Sequence, residues 1–138
     1  AIMADFKYRL DKRIKSLSIS LHWQIDPKAD QITLQPQQAL HLLRILQEAT
    51  TNIIKHADAT RISISLQSDG DGVQLMICDN GNCRLLERND YDASVSSEGY
   101  GLTNMQWRAR QLKGTISFLN NEPSGFCVKL ILPEFVIH

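Results

Sequence analysis

Residues 47–57 read QEATTNIIKHA and form the second half of a long predicted helix. Apolar side chains recur through this helix every three or four residues, which is the repeat of one helix face. They are Ala39, Leu42, Leu46, Ala49 and Ile53. We expect this stripe to face a hydrophobic core.

A row of polar residues follows the same spacing beside the stripe, namely Glu48, Asn52 and Lys55. The amide oxygen of Asn52 is a hard ligand that suits Mg²⁺, a metal that usually takes few protein ligands together with phosphate oxygens. Glu48, one turn earlier, can accept a proton, and Lys55 can supply a positive charge to a phosphate. Taken alone, the row is also explained by a helix flank that meets water.

The rest of the chain alternates between strand and helix patterns. Helical periodicity covers residues 3–17, 37–56 and 102–112, and strand patterns cover residues 18–25, 62–67, 73–78, 115–119 and 126–132. Because each helix is apolar on one side only, a mixed sheet covered on one face satisfies both patterns. The sequence therefore predicts a two-layer α/β sandwich of five strands and about three helices.

The bulk composition is that of a single globular domain. The 138 residues include 15 basic and 15 acidic side chains and are 43% hydrophobic. This neutrality argues against a non-specific nucleic-acid binder, and no apolar run approaches the roughly 20 residues needed to cross a bilayer. The three cysteines fit neither a disulfide framework nor a zinc site, so we expect a reducing compartment.

Two further short motifs follow the long helix. Together with the polar row Glu48, Asn52 and Lys55 they are called the three islands below. Asp79-Asn80-Gly81 ends a predicted strand, where a carboxylate can accept a hydrogen bond from an exocyclic amine and Gly81 allows a flat base to approach the backbone. Gly99-Tyr100-Gly101-Leu102 leads into a helix whose free amides can bind an anion. Each island alone is equally explained by an ordinary turn or loop boundary.

The order of the three islands resembles the ATP-binding domains of the GHKL superfamily (Bergerat fold), and specifically the catalytic domains of sensor histidine kinases. Residues 47–57 are similar to the N box, Asp79-Asn80-Gly81 to the first glycine box, and residues 99–105 to the second. His56 to Thr60 before a strand, and Gly-Leu-x-x-Met after the loop, look most like the subfamily paired with NarL-type response regulators. The similarity covers roughly residues 18–133.

The resemblance implies an ATP site and a role for each matched residue. Glu48 would act as catalytic base or orient a water, and Asn52 would hold Mg²⁺. Asp79, with Gly81 beside it, would recognise the adenine amino group, and residues 82–98 would form a lid. The groups near phosphate would be Lys55, His56, Gly99, Tyr100, Gly101 and Leu102.

Two cysteines depart from the family pattern. Cys83 occupies the position of the second glycine in the first glycine box, and Cys127 follows Gly125-Phe126 where a Gly-Thr pair is usual. By resemblance Cys127 would then lie beside the adenine carboxylate in place of a threonine, and a thiol is a weaker donor than a hydroxyl. Both changes would weaken nucleotide binding.

The expected function is transfer of the γ-phosphoryl group of Mg-ATP to a histidine on an upstream dimerisation domain. Residues 1–17 would be a linker helix from that domain, and residues 18–138 the catalytic domain. The expected partners are this phosphoacceptor domain and a downstream response regulator. The full protein would be a cytoplasmic or membrane-anchored homodimer, and the fragment a monomer that touches neither nucleic acid nor membrane.

Two alternatives use the same fold. One is a degenerate nucleotide-binding or interaction domain that has lost turnover through Cys83 and Cys127. The other is a protein-serine kinase of the anti-sigma type, which phosphorylates a separate partner.

Overall fold

A computed structural model describes residues 2–31, 33–70, 72–82 and 101–133, and the structural statements below concern those residues. The helices are α1 (Ile2–Ile14), α2 (Pro36–Asn52) and α3 (Leu102–Gln111), with a short 3₁₀ turn at Ala29–Gln31. The strands are β1 (Ser20–Ile25), β2 (Arg61–Asp69), β3 (Gly72–Asp79), β4 (Thr115–Asn120) and β5 (Phe126–Leu132).

The five strands form one mixed sheet in the order β1-β2-β3-β5-β4. β1 pairs with β2 in parallel, and the other neighbours are antiparallel. The central strand β3 therefore lies between β2 and β5, and its C-terminal residue Asp79 lies at an inner position of the sheet. The predicted α/β sandwich with five strands and three helices is confirmed.

The core lies between one face of the sheet and the helices. Alternate residues of the strands point into it, including Ile64, Ile77 and Leu130, each at most 1% exposed. From α2, Ile45 and Leu46 are fully buried against them. The remaining residues of each strand point to the opposite face of the sheet, because side chains alternate along a strand.

Helix α1 packs on the same core through Met3, Phe6, Leu10 and Ile14, which are 3–6% exposed. The Phe6 ring meets Trp23 of β1 edge to face, with ring centroids 6.1 Å apart. Arg13 also donates a hydrogen bond of 2.8 Å to the Thr51 hydroxyl on α2. These contacts join α1 to the layer of helices.

Cys78 of β3 and Cys127 of β5 form a disulfide. They are direct partners in the strand ladder, with Cα atoms 4.2 Å apart, although 49 residues separate them in sequence. The expectation that the cysteines form no disulfide is therefore wrong for this pair. Strand register places the two positions opposite each other, and no local spacing reveals it.

Two leucines of α2 test where the core lies. We expect Leu46→Ala to lower the free energy of unfolding by about 2–5 kcal/mol, because the fully buried side chain leaves a cavity. Leu40→Ala on the same helix is the control: Leu40 is 49% exposed, so its loss should cost less than about 0.5 kcal/mol. Urea denaturation of both variants measures this, and equal losses would contradict the packing described above.

Candidate nucleotide-binding site

The helix changes its winding directly after α2, within the predicted site. Residues Ile53–Ala57 form a π-helical turn, after which Asp58 adopts a left-handed conformation with φ of 51°. Such turns are rare and occur often at functional sites. The turn presents the Ala57 carbonyl to the first glycine box, where it accepts a 2.7 Å hydrogen bond from the Asn82 amide.

Gly81 lies against this carbonyl so closely that a side chain is excluded. A Cβ atom at residue 81 would overlap the Ala57 oxygen. The requirement for glycine here is therefore steric, because the backbones of the N box and the first glycine box touch. This contact joins two of the three islands.

The carboxylate of Asp79 is buried beside that contact, with 3% of the residue exposed. Burial raises the pKa of Asp79, and the backbone amides of Gly81 and Phe126 oppose the rise by donating hydrogen bonds to the carboxylate. The Gly81 bond is 2.7 Å long. The result is an oriented acceptor at the end of the central strand.

The β4–β5 turn closes over the same segment. The side-chain amide of Asn121 donates a hydrogen bond to the Asp79 carbonyl at 2.8 Å. The Ser124 hydroxyl donates one to the Asn80 carbonyl at 3.0 Å. Gly125, with φ of 111°, leaves no room for a Cβ atom beside the Asp79 oxygen. The sequence did not predict that Asn121 helps to position Asp79, because this contact depends on the pairing of β3 with β5.

At its other end the site brings Glu48 against Gly101. Gly101 is the N-cap of α3 with φ of 67°, and a Cβ atom there would overlap the Glu48 carboxylate. Burial raises the pKa of Glu48, while the positive charges of Arg108 and Arg44 oppose the rise. The N box and the second glycine box are therefore in direct contact.

Arg108 is a second residue that the sequence did not single out. From the position on α3 it could be a charge favoured by the helix C-terminus. Instead it approaches α2, where its terminal nitrogen lies 3.1 Å from His41 Nδ1 and its charge acts on Glu48. Its Nε atom is buried with no hydrogen-bond partner among the described residues.

The remaining predicted site residues are distributed unevenly. Asn52 is half-buried one turn after Glu48, whereas Lys55 and His56 are exposed on the π-helical turn. Leu102 is buried in the first turn of α3, so only its backbone can serve a ligand. Gly99, Tyr100, Cys83 and lid residues 83–98 lie outside the described residues.

Cys127 does not belong to this site. The alternation along β5 directs Val128 and Leu130 into the core, and Cys127 onto the other face of the sheet, where it bonds to Cys78. The residue that supplies an amide to Asp79 is Phe126. The expectation that the Cys127 side chain lies beside the adenine carboxylate is therefore wrong.

Residues 37–135 match the family of histidine kinase-, DNA gyrase B-, and HSP90-like ATPases. The chain belongs to this ATPase family. It is 30% identical to a NarQ homologue sensor protein of Haemophilus influenzae over 92% of the chain, and 36% identical to the Bacillus subtilis sensor histidine kinase YxjM over 71%. It spans 24% of the first protein and 22% of the second.

The fold agrees with this membership. The catalytic domain of the histidine kinase ThkA superimposes with a TM-score of 0.78, covering 96% of this chain and 91% of that one at 16% identity. No helix in the described part of the chain is both long and apolar enough to cross a membrane.

The groups in this ATPase domain fit a magnesium nucleotide. Asp79 is a buried acceptor whose carboxylate is oriented by two backbone amides, as recognition of an exocyclic amine requires. Protein backbone fills the space that a Cβ atom at Gly81 or Gly125 would need, so these glycines pack the segments around Asp79 together. Asn52 and Glu48 supply oxygen atoms of the kind that Mg²⁺ prefers. Ala57 lies nine positions after Glu48 along α2 and the π-helical turn, so the two ends of the site are separated along the helix and suit an extended ligand.

Gly101→Ala tests the contact with Glu48, and Gly70→Ala is its matched control. Both glycines have positive φ, 67° and 60°, but nothing lies within 4 Å of a Cβ atom at Gly70. We expect each variant to lose about 1–3 kcal/mol of stability from backbone strain. Only Gly101→Ala should also weaken ATP binding, because its Cβ atom would displace the Glu48 carboxylate from the start of α3. Denaturation and ATP titration measure both effects, and equal affinities would contradict the contact.

The raised pKa of Asp79 predicts a pH effect on stability. The folded state holds the proton more tightly than the unfolded state, so stability should fall as pH rises through the folded pKa. Asp79→Asn removes this dependence, and we expect its stability relative to the original protein to improve as pH rises above about 4, the ordinary pKa of an aspartate in an unfolded chain. Urea denaturation at a series of pH values from there upward measures it. Asp5→Asn, an exposed change on α1, is the control, and a parallel loss in all three proteins would refute the assignment to Asp79.

Proposed function

We propose that this chain is the ATP-binding catalytic domain of a two-component sensor histidine kinase. It would transfer the γ-phosphoryl group of Mg-ATP to a histidine on a dimerisation domain of the same protein. The proposal depends on one observation, that the three islands contact each other along one helical segment. Gly81 lies against Ala57, and Gly101 lies against Glu48. Membership of the ATPase family and the similarity to sensor kinases support it.

In this proposal Asp79 accepts a hydrogen bond from the adenine amino group. Burial raises the pKa of Asp79, and its two backbone donors oppose that rise and fix the orientation of the carboxylate. The amides of the first α3 turn would bind phosphate oxygens, since the N-cap residue Gly101 has no side chain that could cap them. Exposed Lys55 and His56 border the phosphate end.

Asn52 would hold Mg²⁺ through its amide oxygen, with phosphate oxygens and water completing the shell. The ion would neutralise charge that develops on the phosphates during transfer. Glu48 would act as a base or orient a water. Burial raises the pKa of Glu48, and the positive charges of Arg108 and Arg44 oppose that rise.

The wider assembly follows from the same proposal. Residues 1–17 would link this domain to the phosphoacceptor domain, and residues 18–138 would form the catalytic unit. The parent protein would be a homodimer with its catalytic domain in the cytoplasm, acting on a response regulator. The degenerate alternative loses one of its two supports, because Cys127 lies on the other sheet face.

Titration with a fluorescent ATP analogue tests the proposal. We expect Mg²⁺-dependent binding, and a loss of about 10–150-fold in Asp79→Asn, the equivalent of a charge-assisted hydrogen bond of 1.5–3 kcal/mol. Asp5→Asn, far from the site on α1, should bind like the original protein.

Asn52→Ala tests the proposed metal ligand separately from the proposed base, Glu48. It should abolish the dependence on Mg²⁺ and leave the weaker metal-free binding intact. Addition of a purified dimerisation domain from a parent kinase should then give phosphohistidine with the original chain and not with Glu48→Gln. Absence of nucleotide binding up to millimolar concentration would refute the proposed function.

A further inference from the structure

The disulfide has a specific place relative to the nucleotide site. Cys78 directly precedes Asp79 on β3, and Cys127 directly follows Phe126 on β5. Phe126 supplies one of the two amides that hold the Asp79 carboxylate. The bond therefore joins the two strands one residue away from the acceptor and from one of its donors.

The two faces of the sheet divide these groups. Asp79 faces the helices, and the disulfide lies on the opposite face, between Ser63 of β2 and Leu119 of β4 in the same ladder row. Cys127 is 4% exposed, whereas Cys78 is only half-buried. Cys78 is therefore the more accessible cysteine of the pair, on a face of the sheet away from the nucleotide site.

The same strand pair is held on its other side by hydrogen bonds. Asn121 and Ser124 tie the β4–β5 turn to the carbonyls of Asp79 and Asn80. With the disulfide intact, this segment is fixed both by a covalent bond and by the turn. With the disulfide reduced, only the ladder and the turn remain, so the Phe126 amide is less well fixed against Asp79.

We propose that Cys78 and Cys127 are a redox-modification site that exchanges with a small thiol–disulfide couple of the glutathione class, and that the bonded form holds ATP more tightly. The second part rests on the proposed function. Preorganisation of the acceptor is the physical reason, since a site already fixed in its binding geometry loses less conformational freedom when the ligand binds.

The exchange is balanced as two successive substitutions. A thiolate attacks the sulfur of half-buried Cys78, the bond to Cys127 breaks, and Cys127 leaves as a thiolate. A second thiolate attacks the external sulfur of the mixed disulfide and releases Cys78. Two small thiols become one small disulfide, and their two protons pass to the two cysteines. Oxidation is the reverse, with the small disulfide as oxidant.

The experiment equilibrates the 138-residue protein in reduced or oxidised glutathione, blocks free thiols with a maleimide, and identifies the blocked cysteines by peptide mass spectrometry. We expect Cys78 and Cys127 to be protected together in the oxidised sample and to become labelled together in the reduced one. Labelling of both cysteines in the oxidised sample, or pairing of either with Cys83, would overturn the assignment.

ATP titration of the same two samples measures the coupling. The oxidised form should bind about three to ten times more tightly, a modest gain typical of preorganisation. Cys83→Ser is the matched control and should keep this difference, whereas Cys78→Ser and Cys127→Ser should each bind as the reduced form under both conditions. Equal affinity of the two forms would overturn the coupling.

The two proposals fail in different ways. Loss of the redox difference with ATP binding retained overturns only the redox coupling. Absence of ATP binding in both forms overturns the proposed function and the coupling together, whereas the labelling result decides independently whether the modification site exists.

Discussion

The buried carboxylate of Asp79 is the constraint on which the site depends. A charge at an inner position of the sheet is unfavourable unless donors compensate for the lost water. Here the donors are the backbone amides of Gly81 and Phe126, which come from the ends of two different strands. β3, the turn after it and β5 must therefore keep their relative positions for both amides to reach the carboxylate, so the sheet holds this acceptor in its orientation.

The helices position the other end of the site by steric contact. Gly101 lies against Glu48 of α2, and Gly81 lies against Ala57 in the π-helical turn that continues α2, so one helical segment positions both glycine boxes. Ile45 and Leu46 hold α2 in the core, so the packing of the core also fixes the position of the site residues on α2. Arg108 adds a charge from α3 that no strand could supply at this position.

The sequence predicted most of this arrangement because its signals are local. The two periodicities identify the strands and helices, and the three islands lie at the ends of those elements. What it missed depends on contacts between distant segments: the Cys78–Cys127 bond, the inward turn of Arg108, and the amide of Phe126 in the position where the side chain of Cys127 was expected. The face on which Cys127 lies follows from strict strand alternation, so counting from Val128 would have excluded it from the site.

The π-helical turn at Ile53–Ala57 has a consequence for how this sequence tolerates change in length. A wider turn holds one residue more than an α-helical turn. The turn can therefore lose that residue and become ordinary helix while the segments on either side keep nearly the same relative direction. A residue lost from the α-helical part between Glu48 and Asn52 would instead rotate Glu48 by about 100° relative to the Ala57 carbonyl that contacts Gly81. Between Glu48 and Ala57 the position at which the length changes therefore decides whether the nucleotide site keeps its geometry.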